Sequence, residues 1–357
     1  MKTRRHFLKA SVAGTGAAAL AAPALAQQRF EWRMVTSWPK RLPGPGVTAE
    51  RIASRIAEAS NGRLQITVHA AGELVPALEV FDAVATGTAE LAHTASLFWQ
   101  GKMKAAPFFT AVPFGLTAGE HHAWIYHGGG QDVWDELYAP FAIKPYMGGN
   151  TGLQMGGWFR HEIKTAEDFK GLKMRMPGLG GEVIRRLGAT PVSLPPGEIF
   201  SSLQSGVIDA TEFLGPWSDA AMGFQKVAPY YYAPGFHEPN GTGEFLVARK
   251  ALETLPSDLR AILEQAVMAE NSFSLAESEW FNAGTLDDLV KRQGIKLRTY
   301  PAELLKAAHA TSREVIAEAA AADAGFGKVW ASYEKALNRL SPWAETGLRT
   351  YLAARAA

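Results

Sequence analysis

Arg175, Glu212, Asn150 and Gln154 are the side chains of this sequence whose types can do chemistry together. An arginine presents a planar fork of donors that fits a carboxylate through two parallel hydrogen bonds, more directionally than a lysine can. An ionised glutamate offers only acceptor oxygens, and a buried one beside an anionic guest repels it unless a cation lies between them. A hard metal ion held by Glu212, the Gln154 amide oxygen and a backbone carbonyl removes that conflict. A 2-oxo or 2-hydroxy acid then chelates the ion through one carboxylate oxygen and its α-oxygen while its carboxylate faces Arg175. Asn150 can donate to either oxygen. An acid without the α-oxygen leaves the ion short of a ligand. For an arbitrary strand arginine a plain salt bridge is the commoner role; the neighbours are what set Arg175 apart.

Those residues meet only if the segments that carry them share a sheet. In Leu172 to Met176 apolar residues alternate with Lys173 and Arg175, the period of a half-buried strand, and Pro177-Gly178 ends it with Arg175 near the carboxyl end. A helix from Gly181 to Leu187 closes on Gly188, and a second from Gly197 to Ser205 closes on Gly206 and feeds a strand from Val207 to Phe213. Two strand–helix–strand units in succession imply a parallel sheet, whose ligands collect at the carboxyl ends of the strands. An upstream series repeats the pattern: strand Glu31 to Ser37, helix Thr48 to Ala59, strand Leu64 to His69, helix Ala77 to Ala85, strand Ala89 to Thr94. Glu244 to Ala248 reads as a strand crossing back to that first lobe. Beyond Pro256, Ser257 is positioned to cap a helix running to about Phe281, long enough to lie across both lobes. Ile295 to Tyr300 is a short strand, and Pro301 starts another helix. In the helical tail Leu340, Trp343, Leu348 and Leu352 make one apolar stripe, packed on its own subunit or exchanged with a partner. The expected fold is α/β with two lobes, separate cores and mixed sheets.

A net charge of +1 gives no support to nucleic-acid binding, so selectivity must come from local charges. Lys2, Arg4, Arg5 and Lys9 precede an apolar run from Val12 to Leu25, and Ala24-Leu25-Ala26 is a small-x-small cleavage site. Residues 1–26 therefore read as an export signal, of twin-arginine type by Thr3-Arg4-Arg5-His6-Phe7-Leu8-Lys9 with a general secretory signal as the alternative, and Gln27 starts the mature chain. No later apolar run approaches the roughly 20 residues a membrane span needs. With 0 cysteines the chain has neither disulfides nor a lipid-bearing cysteine, which suits a freely diffusing periplasmic protein. Gly44-Pro45-Gly46-Val47-Thr48-Ala49 formally matches a dinucleotide fingerprint, but Pro45 removes a donor and no acidic residue closes the next strand; it reads as a helix entry. His121, His122 and His127 lack a zinc-binding spacing and read as packing or surface residues. Neither a nucleophile elbow nor a phosphate loop is present.

Three stretches carry a family resemblance: Gly148-Gly149-Asn150-Thr151-Gly152-Leu153-Gln154-Met155-Gly156-Gly157-Trp158-Phe159-Arg160, Gly171-Leu172-Lys173-Met174-Arg175 and Asp209-Ala210-Thr211-Glu212. They resemble the DctP-type solute receptors of tripartite ATP-independent periplasmic (TRAP) transporters, in the branch that binds 2-oxo acids and lactate. The likeness extends to Ala71-Gly72-Glu73-Leu74-Val75-Pro76 and Ala228-Pro229-Tyr230-Tyr231-Tyr232. It implies a two-lobe periplasmic solute-binding fold that closes on its ligand, TRAP membrane subunits as partners, and homodimers that exchange a C-terminal helix. The lobes would comprise 27–152 with 243–292, and 153–242 with 293–357. By resemblance Arg175 pins the substrate carboxylate. Gln154, Glu212 and the backbone carbonyl of Phe213 match the cation site, with Glu238 where a further ligand is expected. Oxygen donors leave sodium and calcium both open. The chain departs from the pattern at Leu97-Phe98-Trp99, where such receptors carry tyrosines, and at Phe213, where they often carry tryptophan. Phe98, Trp99 and Phe213 would make the pocket wall more apolar. His237-Glu238-Pro239-Asn240 also differs. Two other readings stand beside a receptor: an exported hydrolase or lyase using the same cation as a Lewis acid, and a sensor subunit presenting closed lobes to a membrane kinase.

Overall fold

A computed structural model describes residues 28–357; the expected export signal lies outside them. The chain opens with β1 (Phe30–Thr36), α1 (Pro45–Ala59), β2 (Leu64–His69), α2 (Val80–Ala85) and β3 (Leu91–Thr94). Next come α3 (Ala118–His127), α4 (Gly130–Tyr138) and β4 (Ile143–Asn150). A second series follows: β5 (Gly157–Phe159), β6 (Lys173–Arg175), α5 (Gly178–Arg186), β7 (Thr190–Val192), α6 (Ile199–Ser205), β8 (Ala210–Thr211), α7 (Pro216–Met222) and β9 (Tyr230–Ala233). The chain then adds β10 (Thr242–Ala248), α8 (Arg249–Thr254), α9 (Ser257–Lys291), β11 (Lys296–Thr299), α10 (Ala302–Ala322), α11 (Ala324–Ala344) and α12 (Thr350–Ala356).

Two mixed sheets result. The first has the order β2-β1-β3-β10-β4, the second β11-β9-β5-β8-β6-β7. In the first, β1 runs parallel to β2 and β3, while β10 enters antiparallel between β3 and β4, the crossing expected for that segment. In the second, β6 is parallel to both β7 and β8 with Arg175 opposite Thr211, as the strand–helix–strand pattern requires. The strand expected over Val207 to Phe213 is only two residues long, because the chain leaves the sheet at Glu212 and turns into the space between the lobes.

Gly44 has φ +83, and Pro45 follows at the start of α1, where its missing N–H has no intrahelical acceptor to lose. The glycine-rich loop is thus the helix entry it was expected to be. Gly149, at the end of β4, has φ +112, and a Cβ there would lie 2.7 Å from Thr48 Cγ2. That glycine lets β4 pass directly over α1. Ser257 does not cap α9; Pro256 holds that position and no side chain bonds the first turn. α9 also continues past Phe281 to Lys291. It is tied to the first lobe by Asn271 Oδ1, accepting from Gly149 N at 2.6 Å, and Ser274 Oγ, accepting from Asn150 N at 2.8 Å. On the second lobe Asn282 Oδ1 accepts from Trp217 N at 3.0 Å.

The lobes do not keep wholly separate cores. Phe114 stacks on Phe236 with centroids 5.3 Å apart, and α5 packs against the Ser96–Trp99 turn, so apolar contact is continuous between them. The C-terminal helices divide: α10 packs on α5, whereas α11 returns to α3 and α4. There the Tyr333 hydroxyl accepts from Leu116 N at 2.7 Å. Trp343, Leu348 and Leu352 of the tail stripe are exposed.

Candidate ligand and cation site

The cavity between the lobes forms where three loops are sewn together through their backbones. Thr151 N donates to Gly241 O at 3.0 Å, Gln154 N to Glu238 O at 3.2 Å and Met155 N to Leu214 O at 3.2 Å. Loops 151–156, 212–215 and 234–241 therefore hold one another at the ends of their strands, which brings Gln154, Phe213 and Glu238 to the wall of one cavity together with Arg175.

Arg175 and Glu212 are neighbours through sheet register: Glu212 N donates to Arg175 O at 3.1 Å across the β6–β8 edge. The guanidinium Nη1 pairs with Glu212 Oε1 and donates to the Glu212 carbonyl at 3.1 Å. Its Cζ lies 5.6 Å from the centre of the Phe213 ring, within cation–π range. The other Glu212 oxygen accepts from His237 Nε2 at 3.0 Å, and both side chains are fully buried. Glu212, His237 and Glu238 each place a donor atom within 4.8 Å of the others. Burial, with the charge of Glu212 added to it, pushes the Glu238 carboxyl well above the usual carboxylate range.

This face is rich in unspent polar atoms. Gln154 Oε1, Arg175 Nε and His237 Nδ1 are all buried without a hydrogen-bond partner. Native interiors hold few such atoms; Gln154 and Arg175 line the cavity, where a guest could satisfy theirs, while His237 lies behind the wall on Glu212.

The opposite face is closed upon itself. Trp38 Nε1 donates to His93 Nδ1 at 2.8 Å, which leaves Nε2 as the protonated ring nitrogen, donating to Gly148 O at 2.6 Å. Burial pushes His93 down to about 4, so the ring is neutral near pH 7. Asn150 lines the cavity, but its amide hydrogens go to Asn240 Oδ1 at 2.6 Å and Thr242 Oγ1 at 3.0 Å. The expectation that Asn150 donates to a guest is corrected here: it braces the wall. Trp99 is a second correction. It is buried in the first lobe against Phe81, with Nε1 donating to Glu244 Oε2 at 2.8 Å, and it does not line the cavity. Phe98 and Leu97 do line it, with Trp38 and Phe213. His121 is a buried packing residue, edge-on to Trp124 at 5.4 Å.

His237 was noted in the sequence only as a departure beside Glu238. Nothing in its spacing marks it, because its partner Glu212 lies 25 residues away and is reached through tertiary contact.

The profile of the bacterial extracellular solute-binding protein family 7, DctP, matches residues 36–323. The chain belongs to that family. Among relatives of this DctP chain, a monocarboxylate 2-oxoacid-binding periplasmic protein of Nostoc sp. is 44% identical over 312 residues, covering 87% of this chain and 85% of its own. A TRAP periplasmic solute-binding protein from Pseudoalteromonas atlantica, solved with bound sodium and pyruvate, superposes with a TM-score of 0.88 at 39% identity, covering 91% of this chain and 99% of that one. One from Colwellia psychrerythraea, solved with calcium and pyruvate, gives 0.89 at 38% identity, covering 92% and 100%. The DctP fold thus accommodates either cation. In this DctP chain the donors at hand, two carboxylates, an orphaned amide oxygen and a turn of backbone, are of the oxygen type that hard cations take.

Proposed function

We propose that this chain is a periplasmic receptor that binds a small 2-oxo or 2-hydroxy monocarboxylate together with a metal cation and delivers it to a TRAP transporter. The observation that carries this reading is the buried group of unspent polar atoms around Arg175 and Gln154, set in a wall of otherwise apolar character. Arg175 holds the guest's carboxylate. Glu212, Gln154, Glu238 and the Phe213 carbonyl hold the cation, which bridges protein oxygens to the guest's α-oxygen. Lobe closure about the three sewn loops and α9 excludes water from the pair. An export signal at 1–26 and lobes of 27–152 with 243–292, and 153–242 with 293–322, complete the reading; α11, packed on α3 and α4, goes with the first lobe rather than with the second as expected for 293–357.

The test is a thermal-shift panel of short 2-oxo, 2-hydroxy and unsubstituted acids, each with sodium, calcium or neither, followed by product analysis. Binding of a 2-oxo acid with a cation raises the melting temperature and returns the acid unchanged. A panel without any cation-dependent shift, or conversion of the acid, overturns the proposal.

The exposed tail residues Trp343, Leu348 and Leu352 support a homodimer through the C-terminal helix. Light scattering is expected to give twice the chain mass, and a chain ending at Leu340 to give the monomer; a monomeric full-length protein sinks this part.

A further inference from the structure

We infer that Ser218 is a positioning residue that fastens one lobe to the other and so governs how long a guest is held. The inference rests on the receptor reading above, yet Ser218 lines no part of the cavity.

Ser218 Oγ, on α7 of the second lobe, donates to Pro43 O at 2.8 Å, in the loop that enters α1 of the first. The serine is buried. Among the described residues, the other hydrogen bonds between the lobes run through the segments that cross from one to the other, 150–156 and 234–242, or through the helices after Pro256. A bond within a crossing segment need not break when the lobes part. This one must, because each partner is fixed in its own lobe.

On the first lobe Pro43 and Pro45 flank Gly44, each with its own φ locked, and Thr48 N donates to Gly44 O at 3.0 Å. On the second, three successive side chains tie α7 down. Trp217 stacks on Phe281 of α9 with centroids 4.8 Å apart. Ser218 makes the cross-lobe bond. The Asp219 carboxyl group accepts from Trp158 Nε1 at 3.0 Å and the Tyr231 hydroxyl at 2.8 Å, both on strands of the second sheet, and from Leu214 N at 3.0 Å. Leu214 lines the cavity. One short helix therefore carries both a piece of the wall that meets a guest and the bond that joins the lobes. Deleting the hydroxyl orphans the Pro43 carbonyl in the closed form alone, since water reaches it once the lobes separate. The cost falls on release and spares association.

The experiment follows pyruvate binding to the mature protein by stopped-flow tryptophan fluorescence, in buffer holding sodium chloride and calcium chloride. In Ser218→Ala release is expected to be about 5–30-fold faster and association to stay within about twofold. The melting temperature of the guest-free protein is expected to hold while that of the bound protein falls, a split that a merely structural serine does not give. Unchanged release, or equal loss of melting temperature with and without pyruvate, overturns the inference. A second variant joins the lobes covalently. A Cβ built on Gly44 lies 3.0 Å from Ser218 Oγ, and the chain has 0 cysteines, so oxidation of Gly44→Cys/Ser218→Cys pairs those two alone. Formed over pyruvate, the disulfide is expected to keep the guest through dialysis until a reductant is added; free exchange across it overturns the inference. Ser218→Ala carries the test where a side chain at the positive φ of Gly44 prevents folding. Absence of pyruvate binding in the unaltered protein contradicts the receptor reading alone. X-ray scattering of the guest-free double variant then still decides the latch: a smaller radius oxidised than reduced supports it, and equal radii overturn it.

Discussion

The two faces of the cavity are built to opposite rules. On the second-lobe face Arg175 and Gln154 each keep a buried polar atom unpartnered beside the Glu238 carboxyl, with Glu212 and His237 directly behind them. On the first-lobe face Trp38, His93 and Asn150 have spent their hydrogens on one another, on Gly148 and on the 240–242 turn. Polar groups satisfied within a wall hold it rigid and add nothing for a guest to bond, whereas unsatisfied ones are costly until a guest arrives. One face therefore recognises; the other gives shape. On the proposed reading a guest would be gripped by its charged end alone, with Phe98, Leu97 and Trp38 of the cavity lining left for its remaining atoms.

Substitutions on either side can break or sharpen this contrast. The largest effect is expected for Arg175→Ala, which should lower affinity for a 2-oxo acid by at least about 100-fold, since losing one partner of a buried charge pair costs about 2–5 kcal/mol; calorimetry showing affinity within threefold removes the recognising face from the argument. Glu212→Gln preserves shape and is expected to cost about 10–100-fold in cation affinity, measured by metal titration, with ligand affinity falling alongside. On the shaping face Trp38→Phe deletes the donor to His93 and leaves a buried acceptor unpaired. It should destabilise folding by about 1–2 kcal/mol in urea denaturation while ligand affinity changes less than about threefold. A large affinity loss there would mean that both faces recognise.

A last test concerns pH and a residue away from the cavity, with no change expected in ligand affinity. Burial, with His122 adding to it, pushes His121 down to about 3 from an ordinary 6.5. The folded ring stays neutral while the unfolded chain takes up a proton, so its contribution to stability is whole above pH 6.5 and is lost as pH falls toward 3. The melting temperature of His121→Phe, relative to the unaltered protein, should therefore climb as pH drops through that window; a constant difference counts against it.

Much of the recognising face was legible because its punctuation is local. Pro177-Gly178 ends β6, Gly188 and Gly206 follow the helices, and the register then places Glu212 beside Arg175. The shaping face was not, because its bonds join residues far apart: His93 reaches Gly148, and Asn150 reaches Asn240. No periodicity announces that an amide's hydrogens are already committed. Phe98 and Trp99 show the same limit over one step, since a short 3₁₀ turn sends one ring to the cavity and the next to the core. The end of α9 was misjudged because the side it buries turns polar after Val267, at Glu270, Asn271, Ser274 and Ser278, so no apolar stripe persists to mark its last turns.

α9 itself sets a measure. It is pinned to the end of β4 by Asn271 and Ser274 and to the start of α7 by Asn282, about two turns further on. An unbroken helix between two clamps acts as a ruler, so the gap that remains when the lobes meet is dictated by a count of backbone turns rather than by whatever molecule falls in.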